Sequence, residues 1–394
     1  MTPAPTAVFF DARAIRPGMT GVGRATLALL RALAELRRAD PSRLGLRAAV
    51  LASSLEAVGK DSSLAGVVWE PTSIDYESHP WGDIGLRFRL ARRVRRDEVY
   101  HGPAFIIPGG GQPFPRVATI HDLGVFARPE DFPPRFAKYL RWRIGGAVAK
   151  ATRLIVPTAA VAAELAERYP RARGRLRVVP DAPIVGPDPW GAGSLSAAPS
   201  FRWPPGGYFL TVGTFESRKD PLTAAHALAR LGGDPGGGAA GPEWIWVGAP
   251  GHRADEINRG LAALPLGGRF RAVGAQKAEV VGGLMAGALA FIYPSRYEGF
   301  GLPPLEAMAR GTPVIASDLP ALREVLGEGA LYFPPGDAAA LALVLNRLIF
   351  EPGLREGLRQ RGRARAEQFK WSRTGEATLA VYEEARRAQA GGGQ

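Results

Sequence analysis

The sequence predicts an α/β protein of two domains, each built on a doubly wound parallel sheet. The chain has 394 residues, which is too many for one small hydrophobic core. Short apolar runs recur along it, and several are followed by a glycine-rich or charged loop and then by a helix-forming segment. That order is typical of parallel strands connected through helices. Residues 181–207 are rich in proline, glycine, serine and alanine, which predicts an interdomain linker.

The composition describes a globular protein without disulfides. Hydrophobic residues make up 46% of the chain and charged residues only 22%, which excludes a disordered chain. No run of eighteen apolar residues occurs, and the first residues lack the basic-then-apolar pattern of a signal peptide, so we expect a cytoplasmic location. With no cysteine and five scattered histidines, we expect neither disulfides nor a bound metal.

The net charge of +13 calls for an anionic partner or a solvated basic surface. An anionic membrane and a polyanionic glycan both fit this charge, and we do not expect nucleic acid as a partner. Residues 81–96 are predicted as an amphipathic helix in which arginines surround Leu86, Leu90 and Val94 at a spacing of four. Such a helix could lie peripherally on anionic lipid at the inner face of a membrane, or pack through its apolar side with its arginines in water.

In the first half of the chain, two segments have the features of ligand-binding loops. A strand at residues 6–10 leads to Gly21, Val22 and Gly23, which we interpret as a loop before a helix. The full spacing of a dinucleotide-binding loop is missing, so we predict no nicotinamide site. His121 directly follows an apolar strand, at the edge where open α/β sheets bind ligands, although a structural histidine is the simpler alternative.

A strand and a cationic loop begin the second half. Residues 208–212 form a predicted strand that runs into Gly213 and Thr214, and Arg218 and Lys219 follow just before a helix. Two adjacent cations in such a loop suit a diphosphate, because arginine presents a fork of donors and lysine a point charge. The simpler alternative is a solvated pair of cations.

The rest of the protein is organised around residues 291–318. The apolar run that ends at residue 293 predicts a buried strand. Residues 298–301, Glu-Gly-Phe-Gly, are predicted as a loop whose glycines let the backbone approach a ligand. The two prolines that follow suit the first turn of a helix. A helix N-terminus attracts an anion such as phosphate, whereas Glu298 and Glu306 suit hydroxyl groups. A sugar nucleotide carries both kinds of group. The alternative is that the two glutamates are an ordinary turn residue and a solvated helix residue.

The same stretch resembles a known family. FIYPSRYEGFGLPPLEAMARGTPVIASD, with seven residues between its two glutamates, is similar to the C-terminal signature of family 4 retaining glycosyltransferases of the GT-B fold. The resemblance implies two Rossmann-like domains that face a cleft. Residues 1–185, joined by a C-terminal helix at 372–394, would bind the acceptor; residues 186–207 would be the linker; and residues 208–371 would bind the donor.

The resemblance also implies roles for individual residues. The implied catalytic residues are His121, Arg218, Lys219 and Glu298. The implied donor-binding residues are Gly23, Gly213, Thr214, Val273, Gly299, Phe300, Gly301, Leu302 and Glu306. Within this set Glu306 would bind the ribose, Glu298 the hydroxyls of the donor sugar, and His121 would touch the reacting sugar. The chain departs from the family at Thr214, where many relatives carry arginine, and at residues 181–182, where Asn-Gly is usual.

The implied reaction is a retaining transfer of a sugar from GDP-mannose or a UDP-sugar to a hydroxyl of a glycan or lipid-linked acceptor. No cofactor is expected. The sequence has no D-x-D metal motif, and hydrogen bonds from two cations plus a helix terminus offer the leaving diphosphate roughly 5 to 8 kcal/mol. The alternatives are a GT-B sugar phosphorylase or sugar-nucleotide epimerase, a hydrolase with paired carboxylates, and a non-catalytic basic protein that binds nucleic acid. The sequence predicts no oligomeric state.

Overall fold

The computed structural model describes residues 5–75, 89–109, 111–186, 207–231 and 241–391. In these ranges the strands form one seven-stranded and one six-stranded sheet, and every strand pair is parallel. The prediction of two doubly wound parallel sheets is confirmed.

The strands of the first sheet are β1 Thr6–Asp11, β2 Leu44–Leu51, β3 Val68–Thr72, β4 Val99–Gly102, β5 Arg116–Thr119, β6 Arg153–Val156 and β7 Leu176–Val178. Those of the second are β8 Tyr208–Val212, β9 Glu243–Val247, β10 Phe270–Ala272, β11 Ala290–Tyr293, β12 Val314–Ser317 and β13 Ala330–Phe333. The described α-helices span Gly21–Ala39, Leu55–Lys60, Gly124–Ala127, Pro134–Lys150, Ala159–Arg168, Pro221–Arg230, Ala254–Ala262, Ala278–Gly287, Leu302–Ala309, Pro320–Leu326, Ala338–Phe350, Pro352–Ala366 and Trp371–Gly391.

Both sheets have the strand order of a doubly wound fold. The first runs β3-β2-β1-β4-β5-β6-β7, and the second runs β10-β9-β8-β11-β12-β13. In each sheet the order reverses beside the first strand of that sheet, between β1 and β4 and between β8 and β11. Loops leave the sheet in opposite directions at such a reversal, and the crevice between them is where open α/β sheets bind ligands.

The chain divides into two compact units. Unit 1 comprises residues 1–123, 138–181 and 370–394, and unit 2 comprises residues 124–137 and 182–369. The predicted domain boundaries had assigned residues 124–137 to the first domain, whereas the structure groups them with unit 2. Most of the predicted linker, residues 187–206, lies outside the described residues.

The final helix, Trp371–Gly391, is part of unit 1. Gly375 on this helix lets it approach the helix Gly21–Ala39, because a Cβ added there would lie only 3.2 Å from Ala32 Cβ. Further along, the Tyr382 hydroxyl lies 2.7 Å from His101 Nδ1, and both side chains are fully buried. The end of the chain therefore completes the core of the unit in which the chain begins.

The sheet of unit 2 is buried on both faces, which explains its near-continuous apolar strands. Tyr208 and Leu210 of β8 pack in the core on one face, together with Leu305 of the helix that follows β11. Phe209 of the same strand packs on the other face with Trp244 of β9. Period-two alternation therefore separates two cores rather than a core from solvent.

The prediction of a basic helix at residues 81–96 is wrong for its last residues. Residues 81–88 lie outside the described residues. Beyond them, Ala91–Arg93 form a single 3-10 turn, and Val94 is already extended. Leu90 and Val94 are buried, so their apolar side chains do serve as an anchor to the unit. Among the described helices, none is long and apolar enough to cross a membrane.

Candidate active site

The residues predicted to bind a donor in unit 2 gather at the carboxyl ends of neighbouring strands. Gly213 and Thr214 follow β8, Val273 follows β10, and Glu298 follows β11. Because β8 and β11 lie side by side where the strand order reverses, the loops that follow them border one crevice.

The loop after β11 ends at a glycine that the backbone requires. Gly301 has φ of 93°, in the left-handed region, and a Cβ there would lie 2.6 Å from Leu322 Cδ2. The helix Leu302–Ala309 begins immediately after it, with Pro303 and Pro304 in its first turn. Pro303 and Pro304 have no N–H, and the Leu305 N–H donates to the Gly301 carbonyl at 3.4 Å. The first turn therefore offers an anion mainly the Leu302 N–H and the partial positive charge of the helix.

The side chains beside this glycine point into the core. Phe300 is 6% exposed and packs edge-on against Phe369, with 6.0 Å between ring centroids. Leu302 is partly buried and packs against the same core cluster. Residues 299–302 can therefore offer a ligand mainly their backbone, while their side chains hold the loop in place. Their contact with a donor stays a prediction.

The cationic loop after β8 meets the acidic loop after β11. Lys219 Nζ donates hydrogen bonds to Glu298 Oε1 at 2.5 Å and to the Tyr293 hydroxyl at 2.6 Å. Arg218 lies 3.4 Å from the same Glu298 oxygen and donates to Glu216 Oε1 at 2.9 Å. The structure thus brings together three of the four residues predicted as catalytic, within unit 2.

Burial and charge act together on this cluster. Burial lowers the pKa of the Lys219 ammonium, and the adjacent Glu298 carboxylate only partly offsets this effect. Burial also opposes ionisation of Glu298, but Lys219 and Arg218 outweigh it, so the pKa of Glu298 lies below its ordinary value. The side chains of Lys219 and Glu298 are each only 9% exposed. The Glu298 carboxylate is therefore paired with Arg218 and Lys219, the two cations that a diphosphate would need.

A second ion pair links the same two loops and was not predicted. Asp220 is in the left-handed region with φ of 54°. Its carboxylate caps the helix Pro221–Arg230 by accepting from the Thr223 N–H at 3.3 Å, and it also accepts from the Thr223 hydroxyl at 2.7 Å. Arg296, in the loop after β11, donates to Asp220 Oδ2 at 2.9 Å. A left-handed aspartate before a proline-led helix is a local sign of a cap, but its arginine partner is 76 residues away in sequence.

The segment 124–137 also reaches the cationic loop within unit 2. The guanidinium carbon of Arg218 lies 6.0 Å from the centroid of the Phe132 ring. This distance is at the outer limit of a cation–π contact. Phe132 therefore lies beside Arg218, and nothing in the local sequence indicates this.

Glu306 is buried one turn into the helix that follows Gly301. It is 2% exposed, which excludes the alternative of a solvated helix residue. Gly213 and Val273 meet at the edge of β9, where the Gly213 carbonyl accepts from Trp246 Nε1 and the Val273 N–H donates to the Trp246 carbonyl, both at 2.9 Å. Thr214 is exposed next to them. The donor-binding roles of all four stay predictions.

Gly23 in unit 1 lies within a helix and not in the loop that we predicted. Gly21 already begins the helix Gly21–Ala39. A Cβ on Gly23 would lie 2.6 Å from the Ala14 carbonyl oxygen, so the glycine allows the first turn of the helix to contact the preceding loop. Its contact with a donor stays a prediction.

His121 follows β5 and the residue Ile120, and it is held by backbone and aromatic contacts of unit 1. Its Nε2 donates to the Pro103 carbonyl at 2.7 Å, and its ring packs edge-on against Phe105 with 5.6 Å between centroids. Nδ1 lies 4.0 Å from Asp181 Oδ2. The sequence marked Asp181 only as a departure from the usual asparagine, and did not indicate that it would face His121.

In the part of the chain that the structure describes, no three histidine, aspartate or glutamate side chains converge as a metal-binding group. The convergent groups are instead cations, carboxylates and a helix N-terminus. This set can bind a phosphorylated ligand that also carries hydroxyl groups.

Comparisons with known proteins agree with this chemistry. Residues 203–365 match the family model of glycosyl transferases group 1, and residues 19–182 match that of glycosyltransferase family 4. The chain is 27% identical over 388 residues to the O-antigen chain mannosyltransferase B of Escherichia coli, covering 95% of this chain and 99% of that one. Over 111 residues it is 45% identical to the MMP alpha-(1->4)-mannosyltransferase of Mycolicibacterium hassiacum, 27% of each protein.

Solved structures share the fold. Anabaena HepE, crystallised in complex with UDP and glucose, superposes with a TM-score of 0.67 at 17% identity, covering 96% of this chain and 99% of that one. WaaG, a glycosyltransferase involved in lipopolysaccharide biosynthesis, gives a TM-score of 0.66 at 15% identity, covering 95% and 99%. The two parallel sheets are those of the GT-B fold. Since the two family models match segments of both units, the chain belongs to the family 4, group 1 glycosyltransferases and is a glycosyltransferase enzyme.

Proposed function

We propose that the enzyme transfers a mannose-type hexose, with retention of anomeric configuration, from a nucleoside diphosphate sugar to a hydroxyl of a glycan or lipid-linked acceptor. The observation that carries this proposal is the cluster of Arg218, Lys219 and Glu298 beside the helix N-terminus that follows Gly301. The names of the relatives, which include the E. coli O-antigen mannosyltransferase, favour mannose and a polysaccharide product. UDP in the structure of HepE supports a nucleoside diphosphate as leaving group.

The cluster supplies what a departing diphosphate requires. As the glycosidic bond breaks, negative charge grows on the leaving phosphate, and Arg218 and Lys219 provide charge-assisted donors for it. Glu298, released from these cations, can accept hydrogen bonds from hydroxyls of the donor sugar, while Glu306 accepts from the ribose. Retention follows if the acceptor attacks from the side of the leaving group and the departing phosphate oxygen takes its proton.

A donor panel tests this proposal. We expect GDP-mannose or a UDP-hexose to be turned over with a glycan acceptor, and NMR of the product should show the anomeric configuration of the donor. Lys219→Met should lower turnover strongly, whereas Lys60→Met, at a lysine whose side chain is 75% exposed, should not. Sugar phosphate formed with inorganic phosphate, or a converted sugar nucleotide without acceptor, would indicate a phosphorylase or an epimerase instead.

We also propose that catalysis needs no metal and no cofactor. The charges of Arg218 and Lys219 and the N-terminus of the helix after Gly301 support this, because they supply positive charge of the kind a leaving diphosphate needs. Turnover should be unchanged after treatment with EDTA and after addition of Mg²⁺ or Mn²⁺. A requirement for either ion would contradict this part of the proposal.

The net charge of +13 supports an anionic surface as a further partner. We propose that the enzyme binds peripherally to an anionic membrane, where a lipid-linked acceptor would be found. It should co-sediment with vesicles in which about one lipid in three is phosphatidylglycerol. High salt should release it, since salt screens exposed charges. Equal binding to neutral phosphatidylcholine vesicles would refute an electrostatic mode.

A further inference from the structure

The helix Ala338–Phe350 in unit 2 has an apolar outer face. Its inner side belongs to the core, where Leu345 and Leu348 are fully buried. On the outer side Leu343 is 67% exposed and Phe350 is 78% exposed, more than any other large apolar side chain in the part of the chain that the structure describes. Single exposed apolar residues are ordinary, but the two most exposed ones on one helix indicate a contact surface.

The exposed residues of this face follow a heptad spacing. Ala339, Leu343, Asn346 and Phe350 are all exposed, and successive members are four, three and four positions apart. With about 3.6 residues per turn, they lie within about 60° of one another around the helix axis. Alternation of three and four is the pattern of a seam between two packed helices, in which a single asparagine favours one register. The face is therefore patterned to pack against another helix.

The two ends of this face have complementary shapes. Phe350 projects at the C-terminal end. At the N-terminal end, Ala339 borders an open groove of about 600 Å³ that His226, Arg230 and Pro335 also line. Eleven positions separate Ala339 from Phe350, which is about 16 Å along the helix, so the ring cannot fill the groove of its own chain. It can fill the groove of another chain.

A twofold axis across the middle of the helix brings each end against the opposite end of a second copy. The two helices are then antiparallel. Phe350 of each copy meets Ala339 of the other, and Leu343 meets Asn346, because both pairs of positions have the same midpoint in the helix. Such a self-complementary contact closes after two copies, whereas the same ring and groove without the axis would build open filaments.

The charge of this face permits self-association, although each copy carries a net charge of +13. Arg347 is the only charged residue within the helix, and it pairs with Glu351 at 3.2 Å. In the groove, Arg230 is accompanied by Asp337, whose carboxylate caps the helix. An anionic membrane requires unpaired cations, so these balanced charges favour a protein partner. The self-complementary shape favours a second copy of this chain.

We propose that the enzyme forms a twofold dimer through the outer faces of the helix Ala338–Phe350, with Phe350 of each copy seated in the groove beside Ala339 of the other. The inference concerns unit 2 alone and does not rest on the proposed donor or acceptor. One helix pair and two grooves make a contact that is small beside the roughly 1,600 Å² of a standard interface. The dimer should therefore be reversible, with a dissociation constant in the micromolar range.

Sedimentation velocity over about 1 to 100 μM protein tests the dimer. Wild type should shift from the monomer to the dimer mass. Phe350→Ala removes the ring and Ala339→Trp fills the groove, and each should raise the dissociation constant by about tenfold or more. Both positions are exposed, so both variants should fold and keep the Tm of wild type. A wild type that stays monomeric, assemblies that grow beyond a dimer, or single variants that dimerise normally would overturn the proposal.

The double variant distinguishes this geometry from other contacts. Combining Ala339→Trp with Phe350→Ala exchanges the large and the small side chain at the two ends of the face. Each copy again offers one large and one small end, so dimerisation should return to within about tenfold of wild type. A mixture of the two single variants should likewise associate more tightly than either variant alone. If neither restores association, Ala339 and Phe350 do not meet across a twofold axis and the proposal fails.

A control variant and the salt dependence separate the dimer from other partners. Trp142→Ala, at an aromatic side chain of unit 1 that is 53% exposed, should leave the dimer unchanged. High salt should strengthen the dimer by screening the repulsion between two copies of charge +13, whereas it should weaken vesicle binding. If wild type is monomeric and Phe350→Ala reduces its binding to vesicles, the face binds lipid and a second copy is excluded as its occupant.

Discussion

The buried pair of Lys219 and Glu298 provides the most stringent test of the donor site. Replacing Lys219 with Met keeps the length of the side chain and removes its charge. Glu298 would then remain buried, with Arg218 at 3.4 Å as its remaining cation. Breaking a buried ion pair from one side costs about 3 to 5 kcal/mol when the remaining charge is uncompensated. Because Arg218 still partly compensates Glu298, we expect a loss towards the lower end of that range. For a domain of about 150 to 250 residues, each kcal/mol lowers Tm by roughly 2 to 4 °C.

The second partner shows whether this cost comes from the unpaired charge. Glu298→Gln alone should also destabilise, since it leaves Lys219 buried without its carboxylate. The double variant should be more stable than either single variant, because neither charge is then left alone. The exposed pair of Lys60 and Glu56, also joined at 2.5 Å, is the matched control, and its variants should leave Tm almost unchanged. Strictly additive losses in the buried pair would refute the reasoning.

Binding measurements on the same variants separate the two roles. By calorimetry, Lys219→Met should weaken GDP or UDP binding by about 10- to 100-fold, the value of one charge-assisted hydrogen bond. Glu298→Gln should not weaken it, because the carboxylate competes with the diphosphate for the cations, yet sugar transfer should fall. Equal loss of nucleotide affinity in both variants would show that Glu298 is not a competitor.

Four further predictions concern the rest of the site and its support. Glu306→Ala should weaken nucleotide binding, and His121→Ala should lower turnover more than nucleotide affinity; isothermal calorimetry and initial rates on each variant check both. Gly301→Ala should cost about 1 to 2 kcal/mol of stability because φ is 93° there, and a Tm equal to that of wild type would contradict this. Stability should fall as pH drops from about 6.5 towards 3, since His101 has a pKa of about 3 when folded but 6.5 ordinarily, so the unfolded state binds the extra proton. His101→Gln should reduce this pH dependence of Tm, and an unchanged slope would exclude His101 as its source.

Local patterns were sufficient to predict the elements of the donor site. Three features of this site have a local physical reason, and each is in the predicted place. They are the apolar strand that ends at Tyr293, the two prolines at the start of the next helix, and Gly301 just before that helix. The Arg218 and Lys219 loop was likewise predicted before a helix. Where the prediction was wrong, as for Gly23, the pattern of a loop and that of a first helical turn are too similar to separate.

Contacts between distant parts of the chain were beyond the reach of these patterns. Tyr293 and Glu298 share Lys219, and Arg296 holds Asp220, because β8 and β11 are neighbours in the sheet although about eighty residues separate them. No local rule states which side chains two such loops bring together.

The sequence by itself determined the class of fold, the family and the kinds of residue at the site, because periodicity, turn residues and a contiguous signature are all local properties of a chain. Only the tertiary structure decided the charge state and the partners of those residues. In the structure Glu306 is buried, Lys219 forms an ion pair with Glu298, and Asp181 lies opposite His121. Burial and distance set the cost of a charge, and both are defined only once the strands have paired.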